Sequence, residues 1–96
     1  MHYFIYRLDK PGTKDLREKT RPAHLDYADT LGPKLVFAGP TLDNDEKTMN
    51  GSVWVVDADS KDEAEAITKA DPYEQVDLFR SKTIQPILKV IPKDTN

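Results

Sequence analysis

Gly51-Ser52-Val53-Trp54-Val55-Val56 is the most apolar run of the chain, and its reading decides the fold. In an extended strand Val53 and Val55 point to one face while Trp54 and Val56 point to the other, so both faces are apolar. Helices segregated to one side of an antiparallel sheet cover only one of those faces. The other needs a cover of its own, and a second copy of the same sheet is the simplest one. The run therefore predicts a central strand in a homodimer packed through its sheet face, with Trp54 assigned to the dimer core.

The flanking segments supply the rest of the sheet. Tyr3-Phe4-Ile5-Tyr6-Arg7-Leu8 reads as a first strand stopped by Asp9-Lys10-Pro11-Gly12, and Lys34 to Ala38 as a second stopped by Gly39-Pro40. Asp43 to Lys47 is a charged hairpin tip. Asp15 with Glu18 resembles a capping box opening a helix, and a start at Arg21 with Pro22 in the first helical position is equally permitted. Either helix runs through Leu31 to the stop at Gly32-Pro33. Ser60-Lys61-Asp62-Glu63 is a second capping box, and that helix ends at Ala70, ahead of Asp71-Pro72. Asp71-Pro72-Tyr73-Glu74 starts a short helix through about Phe79. Thr83 to Ile91 is the last strand, with Pro86 placing it at an edge or in a bulge, and residues 93–96 form a loose tail. The order β-α-β-β-α-(α)-β is the ferredoxin-like plan, an α+β fold with an antiparallel sheet.

At 96 residues, 38% hydrophobic and 32% charged, the chain reads as one domain over 1–96, with little room for a second core. A net charge of −3 argues against a nucleic-acid partner, whose phosphates demand a basic face. The absence of cysteine excludes disulfides and thiolate chemistry and fits a cytoplasmic protein. Arg7 and Asp9 break the N-terminal apolar stretch too early for a signal peptide, and no segment approaches a membrane span. One internal histidine with scattered carboxylates matches no zinc pattern, so neither metal nor cofactor is expected.

That histidine, His24, lies in Arg21-Pro22-Ala23-His24-Leu25-Asp26-Tyr27; the other, His2, sits at the N-terminus and is expected to fray. Imidazole is the one side chain that titrates near neutrality unaided, which makes it a natural proton-transfer group. His24, Ala28 and Leu31 recur at i, i+4 and i+7, so His24 faces the sheet, with Arg17 and Arg21 on or near the same stripe. The phase of the second helix, through Ala64 and Ile67, turns Asp71 inward as well. Asp71 has a plain structural role available as an N-cap, worth about 1 kcal/mol, yet a carboxylate has a second oxygen that can orient an imidazole. Ser52 suits a hydrogen bond better than nucleophilic attack, because Gly-Ser on a strand indicates no oxyanion hole. Arg21 has a planar fork suited to an anionic group, against a surface ion pair with Asp26 or Glu18. If the helix starts at Arg21, its dipole favours neutral imidazole at His24 while a neighbouring carboxylate favours the charged form.

Four segments in order, Arg21 to Tyr27, Gly39-Pro40, Met49-Asn50-Gly51-Ser52 and Asp71-Pro72-Tyr73, resemble the YCII-related (YciI-like) proteins of the dimeric α+β barrel superfamily. The resemblance spans nearly the whole chain. It implies a ferredoxin-like subunit, a sheet-to-sheet dimer and a pocket holding a paired His and Asp, which fall here on His24 and Asp71. The remaining motif positions, Arg21, Gly39, Ser52, Pro72 and Tyr73, become the substrate-binding candidates. The family settles no single reaction, and a ring-compound dehydrochlorinase is its nearest defined activity. The resulting expectation is a cofactor-independent lyase or isomerase using a His-Asp dyad for proton transfer on a small ring compound. The alternative is a small-molecule-binding or accessory dimer module that performs no chemistry.

Overall fold

Tyr3, Ile5 and Arg7 alternate with Phe4, Tyr6 and Leu8 along the first strand, and the first three are buried. The computed structural model, which describes residues 1–93, places that strand at the centre of the molecule. The elements are β1 (His2–Asp9), α1 (Lys14–Thr30), a 3-10 turn (Gly32–Lys34), β2 (Leu35–Leu42), β3 (Met49–Asp57), α2 (Lys61–Lys69), α3 (Pro72–Gln75) and β4 (Phe79–Ile87). The sheet order is β2-β3-β1-β4 with every pairing antiparallel, the α+β ferredoxin-like plan. Among the described residues no helix is long and apolar enough to cross a membrane.

Register explains which side chains share the covered face. Tyr3 pairs with Val56, Ile5 with Trp54 and Arg7 with Ser52 across β1–β3, while Ile5 meets Ile84 and Arg7 meets Lys82 across β1–β4. Tyr27 and Ala28 of α1, Leu31 at its C-cap, and Ala64 and Ile67 of α2 pack onto the Tyr3, Ile5, Trp54 and Val56 cluster, so both helices lie on this side. Trp54 is therefore core of the single chain and 1% exposed, which corrects its assignment to a dimer core. An aromatic side chain of this size removes roughly 150–250 Å² from water, worth about 4–6 kcal/mol of transfer free energy at ~25 cal/mol per Å². The opposite face carries Phe4, Tyr6, Val53 and Val55, all half-buried, with Phe37 on β2 59% exposed.

Several boundaries differ from expectation for local reasons. Helix α1 starts at Lys14 and continues through Pro22, so neither Arg21 nor an Asp15 capping box begins it. Pro22 removes only one intrahelical donor, and the helix is held on both sides. Ser60 accepts from the Glu63 amide at 3.1 Å, whereas the Glu63 carboxylate accepts from the Asp59 amide, one residue earlier than a capping box would have it. Strand β2 continues through Gly39 and Pro40 to Leu42, because an edge strand has one side where a missing amide hydrogen does no harm. The same reasoning admits Pro86 in β4, also an edge, and the bulge lies instead beside Leu8/Asp9. Helix α3 is only four residues long and does not reach Phe79, because Asp77 adopts φ 58° and returns the chain to the sheet. β4 accordingly begins at Phe79 and ends at Ile87, leaving Leu88, Val90 and Ile91 outside it and exposed. His2 is not frayed but belongs to β1, opposite Asp57 and Ile87. Of the expected tail, residues 94–96 lie outside the described residues.

At Gly51 the neighbouring strands leave no room for a side chain. A Cβ there would stand 2.6 Å from both the Arg7 carbonyl and Thr41 Oγ1. Gly51→Ala should cost about 1–3 kcal/mol through this overpacking, and each kcal/mol lowers Tm by roughly 4–8 °C in a domain of this size. Thermal unfolding followed by circular dichroism reads the effect, and an unchanged Tm would contradict the contact.

Candidate functional site

Helix α1 buries Arg17, Thr20 and His24 at spacings of three and four, and this stripe faces α3. On α3 the residue before Pro72 must be extended, and Asp71 is so, with φ −65° and ψ 127°. Its Oδ1 caps the helix by accepting from the Tyr73 amide at 3.0 Å and also meets His24 Nδ1 at 2.8 Å. One oxygen thus performs both tasks that sequence reasoning had divided between two. Asp71 Oδ2 instead faces Arg7 NH2 at 3.0 Å, an ion pair rather than a well-aligned hydrogen bond. With the carboxylate ionised, His24 Nδ1 carries the proton and donates it, which leaves the Nε2 lone pair as the basic position. His24 sits in mid-helix, so the dipole argument tied to a start at Arg21 does not apply.

The imidazole is fixed on its faces as well as its edge. Tyr73 stacks on it with ring centroids 3.8 Å apart and planes 16° from parallel, and Trp54 lies 5.6 Å away. A cavity of about 210 Å³ opens beside it, with His24, Trp54, Tyr73, Ser52 and Arg17 among the lining residues. Gly39, Pro40 and Met49 line the same cavity from β2 and β3, with Arg21 and Leu25 from α1. Of the sequence candidates, His24, Arg21, Ser52, Gly39 and Tyr73 share this cavity, and Asp71 stands behind His24. Pro72 is not part of the wall and serves as the first residue of α3. Burial pushes the Tyr73 hydroxyl up from its ordinary range, although Arg17 and Arg21 pull the other way, so Tyr73 presents a neutral phenol.

Of two buried arginines, Arg7 escaped sequence reasoning, and Arg17 was placed on or near the His24 stripe without a role in the site. Arg7 is fully buried, with NH1 on Glu74 Oε2 at 2.9 Å and its guanidinium 4.7 Å from the Trp54 ring and 4.6 Å from the Phe79 ring. Glu74 Oε1 in turn accepts from Lys82, which also meets Glu65 and Thr68. Arg17, on the other side of the site, donates through NH2 to the Gly51 carbonyl at 2.7 Å and to Ser52 Oγ at 3.0 Å. Ser52 is therefore an acceptor for Arg17 before it is anything else. The signal for Arg7 was its parity with Tyr3 and Ile5, which puts a cation on the core face. For Arg17 it was the three- and four-residue spacing to His24.

Comparison with known proteins bears on this arrangement. A sequence model of the YCII-related domain matches residues 1–88. The chain is 31% identical over 97 residues to Protein YciI of Escherichia coli and, equally, to that of Shigella flexneri, covering 94% of this chain and 99% of each relative. Among solved structures it is similar to a 5-chloro-2-hydroxyhydroquinone dehydrochlorinase from Burkholderia phenoliruptrix in complex with 2,5-dihydroxybenzoquinone. That match has a TM-score of 0.87 and 33% identity over 98% of this chain and 100% of that one.

Arg7→Met should leave the buried Asp71 carboxylate without its cation and Glu74 with Lys82 alone, and destabilise the fold by about 3–5 kcal/mol. Arg7→Lys, which keeps a charge but loses the fork, should recover part of that loss. Urea unfolding measures both, and equal stability of Arg7→Met and the parent would contradict the arrangement.

Proposed function

The chain belongs to the YCII-related family, and from that premise we propose that it is a lyase-type enzyme acting without a cofactor on a small ring compound. In this reading His24 is the general base and Asp71 holds its tautomer and orientation. The observation that carries it is the 2.8 Å contact of His24 Nδ1 with a fully buried Asp71, beside a cavity that His24 itself lines. The 33% identical dehydrochlorinase supplies the reaction class.

The step is an elimination or an isomerisation. His24 Nε2 removes a proton from a ring hydroxyl or ring carbon, and the electron pair left behind forms a C=O or C=C bond. In an elimination the leaving halide departs with its own bonding pair, and the imidazolium returns the proton to solvent, so the net product is HX. In an isomerisation the same proton is delivered to another ring position. A positioned general base contributes typically about 10²–10⁴-fold. Arg17, Ser52 and Arg21 line the side of the cavity where a phenolate oxygen would be stabilised.

The same reading includes a homodimer closed over the second sheet face, in the cytoplasm and with neither nucleic acid nor membrane as partner. Support for the dimer comes from the apolar row Phe4, Tyr6, Val53, Val55 and Phe37, together with exposed Leu88, Val90 and Ile91. Light scattering should report twice the chain mass, and Val55→Lys should shift it toward one chain.

Chloride release from 5-chloro-2-hydroxyhydroquinone tests the chemistry. His24→Ala should lower turnover by about 10²–10⁴-fold with circular dichroism unchanged, and Asp71→Asn should lower it as well. Undiminished turnover in His24→Ala would sink the mechanism. Binding without turnover by the parent protein would favour the accessory-module reading.

A further inference from the structure

The cavity beside His24 is bounded on one side by Arg17, Arg21 and Met49. These three residues also line a neighbouring recess of about 430 Å³ completed by Lys14, Glu18, Lys47 and Thr48. Four cations and one carboxylate meet there, in a chain whose net charge is −3. The loop that brings Lys47 is braced from below, since Asp45 accepts from the Lys47 and Thr48 amides and from Thr48 Oγ1.

Arg17 is the wall common to both spaces. It is 5% exposed, and while NH2 is satisfied, its Nε and NH1 have no hydrogen-bond partner among the described residues. Asp9 Oδ1 stands 3.6 Å from NH1, and the Tyr73 ring lies against the guanidinium at 4.7 Å. Burial pushes the Asp9 carboxyl up despite Arg17 and Arg7. A buried cation with unmade hydrogen bonds is costly unless a ligand completes it.

Size decides where a ligand's charge must sit. An apolar cavity of about 150 Å³ takes one benzene ring, so the space beside His24 holds a single substituted ring and little more. A longer substituent directed past Arg17 reaches the recess. We infer that the recess is a subsite for a carboxylate borne on a short arm of the ring compound, with Arg17 at the junction and Lys14, Arg21 and Lys47 around the charge. A carboxylate matches the planar guanidinium fork, and Glu18 at the rim disfavours a doubly charged group such as phosphate. The inference rests on the ring-binding reading above and narrows it to ring compounds carrying an acidic side arm.

Calorimetric titration of the full chain with hydroquinone and with 2,5-dihydroxyphenylacetate separates the two claims. The acid should bind at least about tenfold more tightly than hydroquinone at low salt, and added salt should erode that preference. In Lys14→Glu/Lys47→Glu, shown by thermal unfolding to be folded, the preference should fall to within about threefold. Lys14→Gln/Lys47→Gln serves if charge reversal disrupts the fold. Binding of both rings with equal affinity, or an unaltered preference in the folded variants, would overturn the anionic subsite while leaving the ring cavity intact. Binding of neither ring would overturn the cavity reading and the subsite with it.

Discussion

A guanidinium cannot shed its proton, so a fully buried one obliges the rest of the fold to answer its charge. Arg7 sits in the middle of β1, on the covered face, with no exposure to water. Two carboxylates from one short helix, Asp71 and Glu74, come to meet it, and the rings of Trp54 and Phe79 receive its faces. Helix α3 is too short to stand by itself and is better understood as the device that delivers both acids at once. His24 depends on this arrangement indirectly. Its partner Asp71 is held between them, with Arg7 facing one oxygen while the Tyr73 amide and His24 share the other.

The architecture was legible because the strands carry strong period-two patterns and the breaks between them carry Gly and Pro. Val53 to Val56 read correctly as a central strand, and order alone implied the ferredoxin-like plan. Its face assignment failed for Trp54, since alternation states which residues share a face but not which face the helices choose. The strand ends at Gly39-Pro40 and at Pro86 were misjudged or ambiguous for one reason: proline's cost depends on whether the strand is at an edge, which is a tertiary fact. At the site, His24 stood out by type and helical phase, and Asp71 by its motif, since it lies beyond α2 as the extended cap of α3 and no helical phase places it. Arg7 did not, because arginine is ordinarily a surface residue and only its parity with buried neighbours argues otherwise, and Arg17 was placed on the stripe but given no role.

Division of labour within the site follows from where each element lies in the sheet. The central strands β1 and β3 contribute Arg7 and Ser52, which are buried and held by partners on several sides. The edge strand β2 contributes Gly39 and Pro40, whose small or rigid forms shape a wall without chemistry. Helix α1 spans the range from interior to rim, with Arg17 and His24 inside and Arg21 outside. Rigid central elements hold the groups that need exact orientation, and the periphery is left to set what fits.

The two members of the His24–Asp71 contact are 47 positions apart in the chain, and Arg7 and Asp71 lie still further apart. Contacts of that span close late, after shorter loops have formed, because ordering a long loop must precede any reward from it. Helix α1 alone, or the β2–β3 hairpin alone, contains no part of the charged cluster that could bind its counterpart. The histidine environment thus depends on long-range closure: neither the Asp71 contact nor the Tyr73 stack exists unless α3 lies against α1.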